Sequence, residues 1–176
     1  MDLKTLSAIE LAEAIRTRKV SSVEVVQDAL NRLKAVHEKC NAVVSTDTEE
    51  ALAAAKEVDA AIASGAQVGP LAGVPLAHKD MFDRAGKIPS WGARIRREKP
   101  CNEDNPLLAR LKAAGSIQIA ALHMTEFAFG PTGHNYVIGH ARNPWDTSRI
   151  PGGSSSGSAI CVATGVVPAA LGSDTA

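Results

Sequence analysis

The sequence is short of cysteine, of any excess charge and of long apolar runs, and each shortage closes off a class of function. Its three cysteines, Cys40, Cys101 and Cys161, are an odd number at wide spacing. That pattern builds neither a disulfide framework nor a zinc knuckle, and a reducing cytoplasm suits it best. The 19 basic residues are matched by 19 acidic ones, so no electrostatic footprint for nucleic acid or an anionic membrane stands out. Small molecules are the expected partners. No stretch of about 18 apolar residues is present to span a bilayer, and the opening Met-Asp-Leu-Lys-Thr-Leu-Ser lacks the basic-then-apolar pattern of a secretory leader. His123, His134 and His140 have no acidic or cysteine neighbour at ligand spacing, which argues against a metal site.

What is present is the composition of a folded domain: 176 residues, 45% hydrophobic and 22% charged, enough for a sizeable core. Ser7-Ala-Ile-Glu10 and Ser21-Ser-Val-Glu24 each match the capping box and predict helices over Ala8 to Arg18 and Ser22 to Lys39. In the second, Val23, Val26, Leu30, Leu33 and Val36 share one face. A short strand is expected within Asn41 to Ser45, then an alanine-rich helix from Thr48 to Ser64 stopped by Gly65. Val74 to His78 has a strand pattern, with Pro75 marking an edge position or a strand start. Asn105-Pro106 opens a helix as N-cap and first helical residue, Gly115 closes it, and a strand over Ser116 to Ala121 follows. Strand, helix and strand from 74 to 121 form a βαβ crossover, which favours a parallel pair. The apolar stretch Ala159 to Leu171, broken by Thr164, Gly165 and Pro168, reads as helix, turn, strand.

Between these elements lie long connections. Residues 83 to 105 are loop-like and carry the basic group Arg94-Ile-Arg-Arg97, a solvated face in preference to an anion site. Thr125 is placed to cap a short helix, with Phe127 and Phe129 as core anchors. Gly130 to Ile150 is long for a compact domain, and loops of that length are commonly functional. Lys79, alone, would be a solvated charge. Its place at a strand end, where loops converge on a substrate, gives it interest.

The chain is organised around its last 26 residues. Two glycine-and-hydroxyl loops, Gly152-Gly-Ser-Ser-Ser-Gly-Ser158 and Leu171-Gly-Ser-Asp-Thr-Ala176, flank the apolar stretch. Together with Gly73-Val-Pro-Leu-Ala-His-Lys-Asp80 they resemble, in order and over nearly the whole chain, the amidase signature family. The resemblance implies an α/β fold with a mixed sheet flanked by helices, here incomplete. Residues 1–65 would be its helical part and 66–176 the start of its catalytic α/β core.

It also implies a Ser, Ser, Lys triad that hydrolyses or transfers amides without metal or cofactor. Lys79 takes the place of the lysine and Ser154, behind a cis peptide from Gly153, that of the bridging serine. The family's nucleophile would fall at position 178, so the chain reads as the amino-terminal part of an amidase, from a truncated gene or a shortened expression product. Backbone amides of Thr175 and Ala176 would form part of an oxyanion hole, with Ser155 near the substrate and Asp174 ordering the loop. For Ser155, Ser156 and Ser158 the alternative is to cap a helix over Ser156 to Thr164.

The expected substrate is a small-molecule amide; a homo-oligomer stays open. Within the family, the alternative is the A-type subunit of a glutamine-dependent amidotransferase of the glutamyl-tRNA kind. Phe129-Gly-Pro-Thr-Gly-His-Asn135 resembles stand-alone amidases more than that subunit's Ser-Ser-Thr-Glu-Asn pattern. A phosphate cradle at Gly152 to Ser158 is a third reading, weakened because the loop lacks the Gly-Lys-Ser/Thr ending of a P-loop. A non-catalytic binding role is a fourth.

Overall fold

The computed structural model describes residues 2–95 and 98–174. Helices α1 (Ala8–Arg16) and α2 (Ser22–Cys40) both start in complete capping boxes, at Ser7 with Glu10 and Ser21 with Glu24. Strand β1 (Val43–Thr46) and helix α3 (Thr48–Ala63) follow. Next come β2 (Pro75–Lys79), α4 (Pro106–Ala113) and β3 (Ile117–Leu122). The chain then continues through α5 (Ser156–Ala163) to the two-residue β4 (Ala170–Leu171). No helix among the described residues is long and apolar enough to cross a membrane.

The four strands form one mixed sheet in the order β1-β3-β2-β4. β3 runs antiparallel to β1, while β2 is parallel to both β3 and β4. Of the two expectations for Pro75, the edge position is therefore wrong and the strand start right: β2 is an inner strand, and a proline is tolerated there because it is the first residue. Every residue of β2 is buried. The parallel pairing of β2 with β3 through α4 is the crossover that the sequence pattern predicts.

The main core gathers Val26, Leu30 and Leu33 of α2, Ala51 and Ala55 of α3, Ile119 and Leu122 of β3, and Ile160 of α5. Cys40 and Cys161 lie in it as free thiols, and burial pushes the Cys161 thiol up to about 12. A second cluster joins Leu11 and Ile15 of α1 to Val25, Ile62, Val74 and Leu76. Asp47 makes no cap for α3. Its buried carboxylate instead pairs with Arg84 and with Lys87 at 2.9 Å, tying the start of α3 to the loop after β2.

α2 and α3 are locked together by a polar contact as well. The Asp59 carboxylate accepts from the backbone N–H of Ser22 at 2.7 Å and of Val23 at 3.1 Å, two of the donors a helix start leaves unpaired. Asp59→Ala is expected to cost about 1–2 kcal/mol, the size of a lost helix cap, read as a lowered urea midpoint with an unchanged slope.

Two expectations fail between β3 and α5. Phe127 and Phe129 are 52% and 91% exposed, not core anchors. The segment from Glu126 to Ala128 is only a 3-10 turn in which Phe127 and Ala128 both have positive φ. Thr125 does not cap it; its hydroxyl donates to the Gly130 carbonyl at 3.2 Å instead.

Candidate active site

Three chain segments meet at the carboxyl end of β2. Successive side chains of a strand point to opposite faces, so His78 and Lys79 enter different surroundings. His78 hydrogen-bonds Gln118 at 3.1 Å, and burial, with the Arg84 charge second, pushes its pKa down to about 4. It is a neutral structural group at neutral pH. Lys79 is the largest fully buried side chain of the protein's described residues. Its Nζ donates to Ser154 Oγ at 2.6 Å and to Ser173 Oγ at 2.8 Å.

Local structure explains how two distant serines arrive there. The parallel register sets His78 beside Leu171, so residues 172–174 continue past the strand end alongside Lys79. The peptide between Gly153 and Ser154 is cis. Ser155 does not cap α5; its hydroxyl donates to the Ser173 carbonyl and accepts from the Ser173 N–H, both at 3.1 Å. Ser158 Oγ donates to the Leu171 carbonyl at 2.9 Å, and Ser156 Oγ to the Gly152 carbonyl at 2.9 Å. The capping alternative for these three serines is thus replaced by stitching: Ser155 and Ser158 find backbone partners in the second loop and Ser156 finds one in its own.

Burial is the main influence on the lysine, pushing its pKa down, while the negative charge of Asp174 acts in the other direction. An amine with a lowered pKa is available as a base nearer neutral pH than an ordinary lysine. It also makes folding pH-dependent. Below the folded-state pKa, both states hold the proton and the fold bears the full cost of a buried ammonium. Above it, the unfolded chain binds more protons, so stability rises with pH until the ordinary lysine value of about 10.4 is passed. Urea unfolding across that window should show the rise, and Lys79→Met should remove it.

The surrounding loops are held by buried polar groups. The Asp80 carboxylate accepts from the Ser90 hydroxyl and from its N–H at 3.0 Å. The Asp80 carbonyl accepts from Trp91 N–H at 3.0 Å. Asn135, 1% exposed, donates to the carbonyls of Gly92 at 2.8 Å and Met124 at 3.0 Å and accepts from Val137 and Ile138. Thr125 N–H donates to the Ser154 carbonyl at 3.2 Å, which seats the 124–130 turn against the serine loop.

Residues 24–176 match the family model described as Amidase. The chain belongs to the amidase signature family. A curated relative, the A-type subunit of glutamyl-tRNA(Gln) amidotransferase from Azoarcus sp. (strain BH72), is 46% identical over 169 residues, 96% of this chain and 34% of that protein. The chain thus spans about a third of the length of the curated relatives it matches. A solved structure of a vestigial protein complex that bears on the origins of an s-triazine catabolic enzyme aligns with TM-score 0.93 and 41% identity, over 97% of this chain and 37% of that one. A crystal structure of an amidase aligns with TM-score 0.89 and 35% identity, over 97% and 39% respectively.

In this amidase-family chain, the structure brings together Lys79 and Ser154 from 75 residues apart. Ser155 is one residue from that contact and holds backbone, not the lysine. Thr175 and Ala176 lie outside the described residues, as do Arg96 and Arg97 of the basic group. Sequence reasoning misses Ser173 and Asn135. The signal for Ser173 is its place in the second glycine-and-hydroxyl loop, beside Asp174 and the two residues after it. Asn135 has only its position in a long loop to mark it.

Proposed function

We propose that this chain carries the base and relay portion of a serine amidase, which cleaves a carboxylic amide to an acid and ammonia or an amine through an acyl-enzyme. The observation that supports this best is the 2.6 Å contact between the buried Lys79 amine and Ser154 Oγ. A serine hydroxyl is a weak nucleophile until a base takes its proton. Lys79, uncharged, accepts the proton of Ser154, and Ser154 accepts one from an attacking hydroxyl on its other side, since a hydroxyl donates and accepts at once. The same path returns the proton to the leaving nitrogen. The oxyanion also needs hydrogen-bond donors, one of which is commonly worth about 2.7–4 kcal/mol.

A second reading has specific support. The Azoarcus relative quoted above belongs to an amidotransferase, and in that setting the amide would be glutamine and the product ammonia for transfer. The two readings share the same proton path and differ in substrate. In a protein extended to the length of the relatives, ammonia release from glutamine compared with release from simple aryl and alkyl amides separates them. Purified residues 1–176 are expected to turn over none of these. Turnover by them that Lys79→Ala abolished would overturn the proposed division of labour.

A further inference from the structure

The Lys79 amine touches two hydroxyls, and only one belongs to the proton path above. Ser173 Oγ accepts from Nζ at 2.8 Å while its own proton points to the thioether sulfur of Met81, 3.2 Å away. Its backbone is pinned on both polar atoms by Ser155 Oγ, so the hydroxyl has little freedom to swing away. Met81 is fixed in turn, its N–H donating to the Lys79 carbonyl at 2.7 Å.

Counting protons and lone pairs gives this arrangement a direction. An uncharged amine has two N–H bonds and one lone pair; a hydroxyl has one proton to give, and a thioether sulfur is a weak acceptor with none. With its proton on Met81, Ser173 can only accept, and so takes an N–H of Lys79. We propose that Ser173, held by the Met81 thioether, is a positioning residue that turns the lone pair of uncharged Lys79 toward Ser154. The inference rests on the reading of Lys79 as the base. Without the thioether, the Ser173 hydroxyl could turn and donate to that lone pair, competing with Ser154 for it.

The test reads the amine directly in residues 1–176. Lysine labelled with ¹³C at Cε is titrated by NMR, with the Lys79 signal assigned through Lys79→Arg. Asp174 is the charged group acting on Lys79 in this structure, and it is left unchanged in every variant. Ser173→Ala removes an acceptor of the ammonium, so the Lys79 midpoint should move down; Ser173→Thr should restore it. A residue that merely filled space would admit water when truncated and move the midpoint up. Met81→Leu preserves the packing and lets the hydroxyl donate to the uncharged amine, so it too should move the midpoint down.

In a protein extended to the relatives' length, Met81→Leu should lower the high-pH limit of kcat/KM by about 3- to 10-fold, the worth of one neutral hydrogen bond. KM should stay unchanged. If Lys79→Ala leaves amide turnover intact, the base assignment itself falls. If Lys79→Ala abolishes turnover while Met81→Leu and Ser173→Ala leave midpoint and limiting rate at wild-type values, the orientation proposal alone is overturned.

Discussion

With Lys79 as the proposed base, Lys79→Ala is expected to lower kcat/KM for amide cleavage by about 10²- to 10⁴-fold, the range for loss of a positioned general base, when introduced into a protein extended to the length of its relatives. The reason lies in the burial of the amine and its two hydroxyl partners. Among the described residues, no other amine hydrogen-bonds the Ser154 hydroxyl. Lys79→Arg should be nearly as damaging, because a guanidinium stays protonated at any working pH and cannot accept a proton. Steady-state rates at several pH values check both, and the residual activity of the alanine variant should lose the rise with pH that titration of Lys79 gives the wild type. A loss of less than about tenfold, with the rise retained, would remove Lys79 from the proton path.

Gly157→Ala is expected to destabilise residues 1–176 by about 3 kcal/mol, the upper end for forcing an extra group into packed structure. A Cβ at 157 would lie 2.5 Å from the His123 nitrogen and 2.9 Å from Leu122 Cβ, and closer still to the Ala42 carbonyl oxygen. Two of these are backbone atoms already engaged: His123 N–H donates to the Ala42 carbonyl at 2.9 Å, and Gly157 N–H donates to the His123 carbonyl at 2.8 Å. Neither can step aside without breaking the edge of the sheet, so α5 must back away and carry Ser154 with it. Gly65→Ala is the control. Gly65 has a φ of +77 and open space around it, so the variant bears only left-handed backbone strain of about 1–2 kcal/mol. Urea unfolding of the two variants should differ clearly; equal midpoints would mean that α5 adjusts at little cost.

The features legible in the sequence are those set by near neighbours. The capping boxes at Ser7 and Ser21 and the Asn105-Pro106 helix start depend on contacts within a few residues, and they appear where expected. The strand ending at Lys79 is also found, marked by its apolar pattern although its partners are distant in sequence. The pairing of Lys79 with Ser154 comes from resemblance, since nothing in the spacing of residues 75 apart states that they meet. Features fixed by tertiary register are not legible. Ser173 reaches the amine because β4 lies parallel to β2, and a two-residue strand leaves almost no period to read. Phe127 and Phe129 defeat the reading because apolar character alone does not tell which way a ring will face, and the positive φ at Phe127, rare for such a residue, is not announced by the sequence pattern.

With Lys79 as the proposed base, the buried amine at the end of β2 sets selection for heat resistance against selection for catalysis. In a library of variants screened only for survival on heating, methionine or leucine at position 79 should be enriched, since either fills the same space without a charge to desolvate. Survivors of such a screen would keep their shape and lose the proposed base.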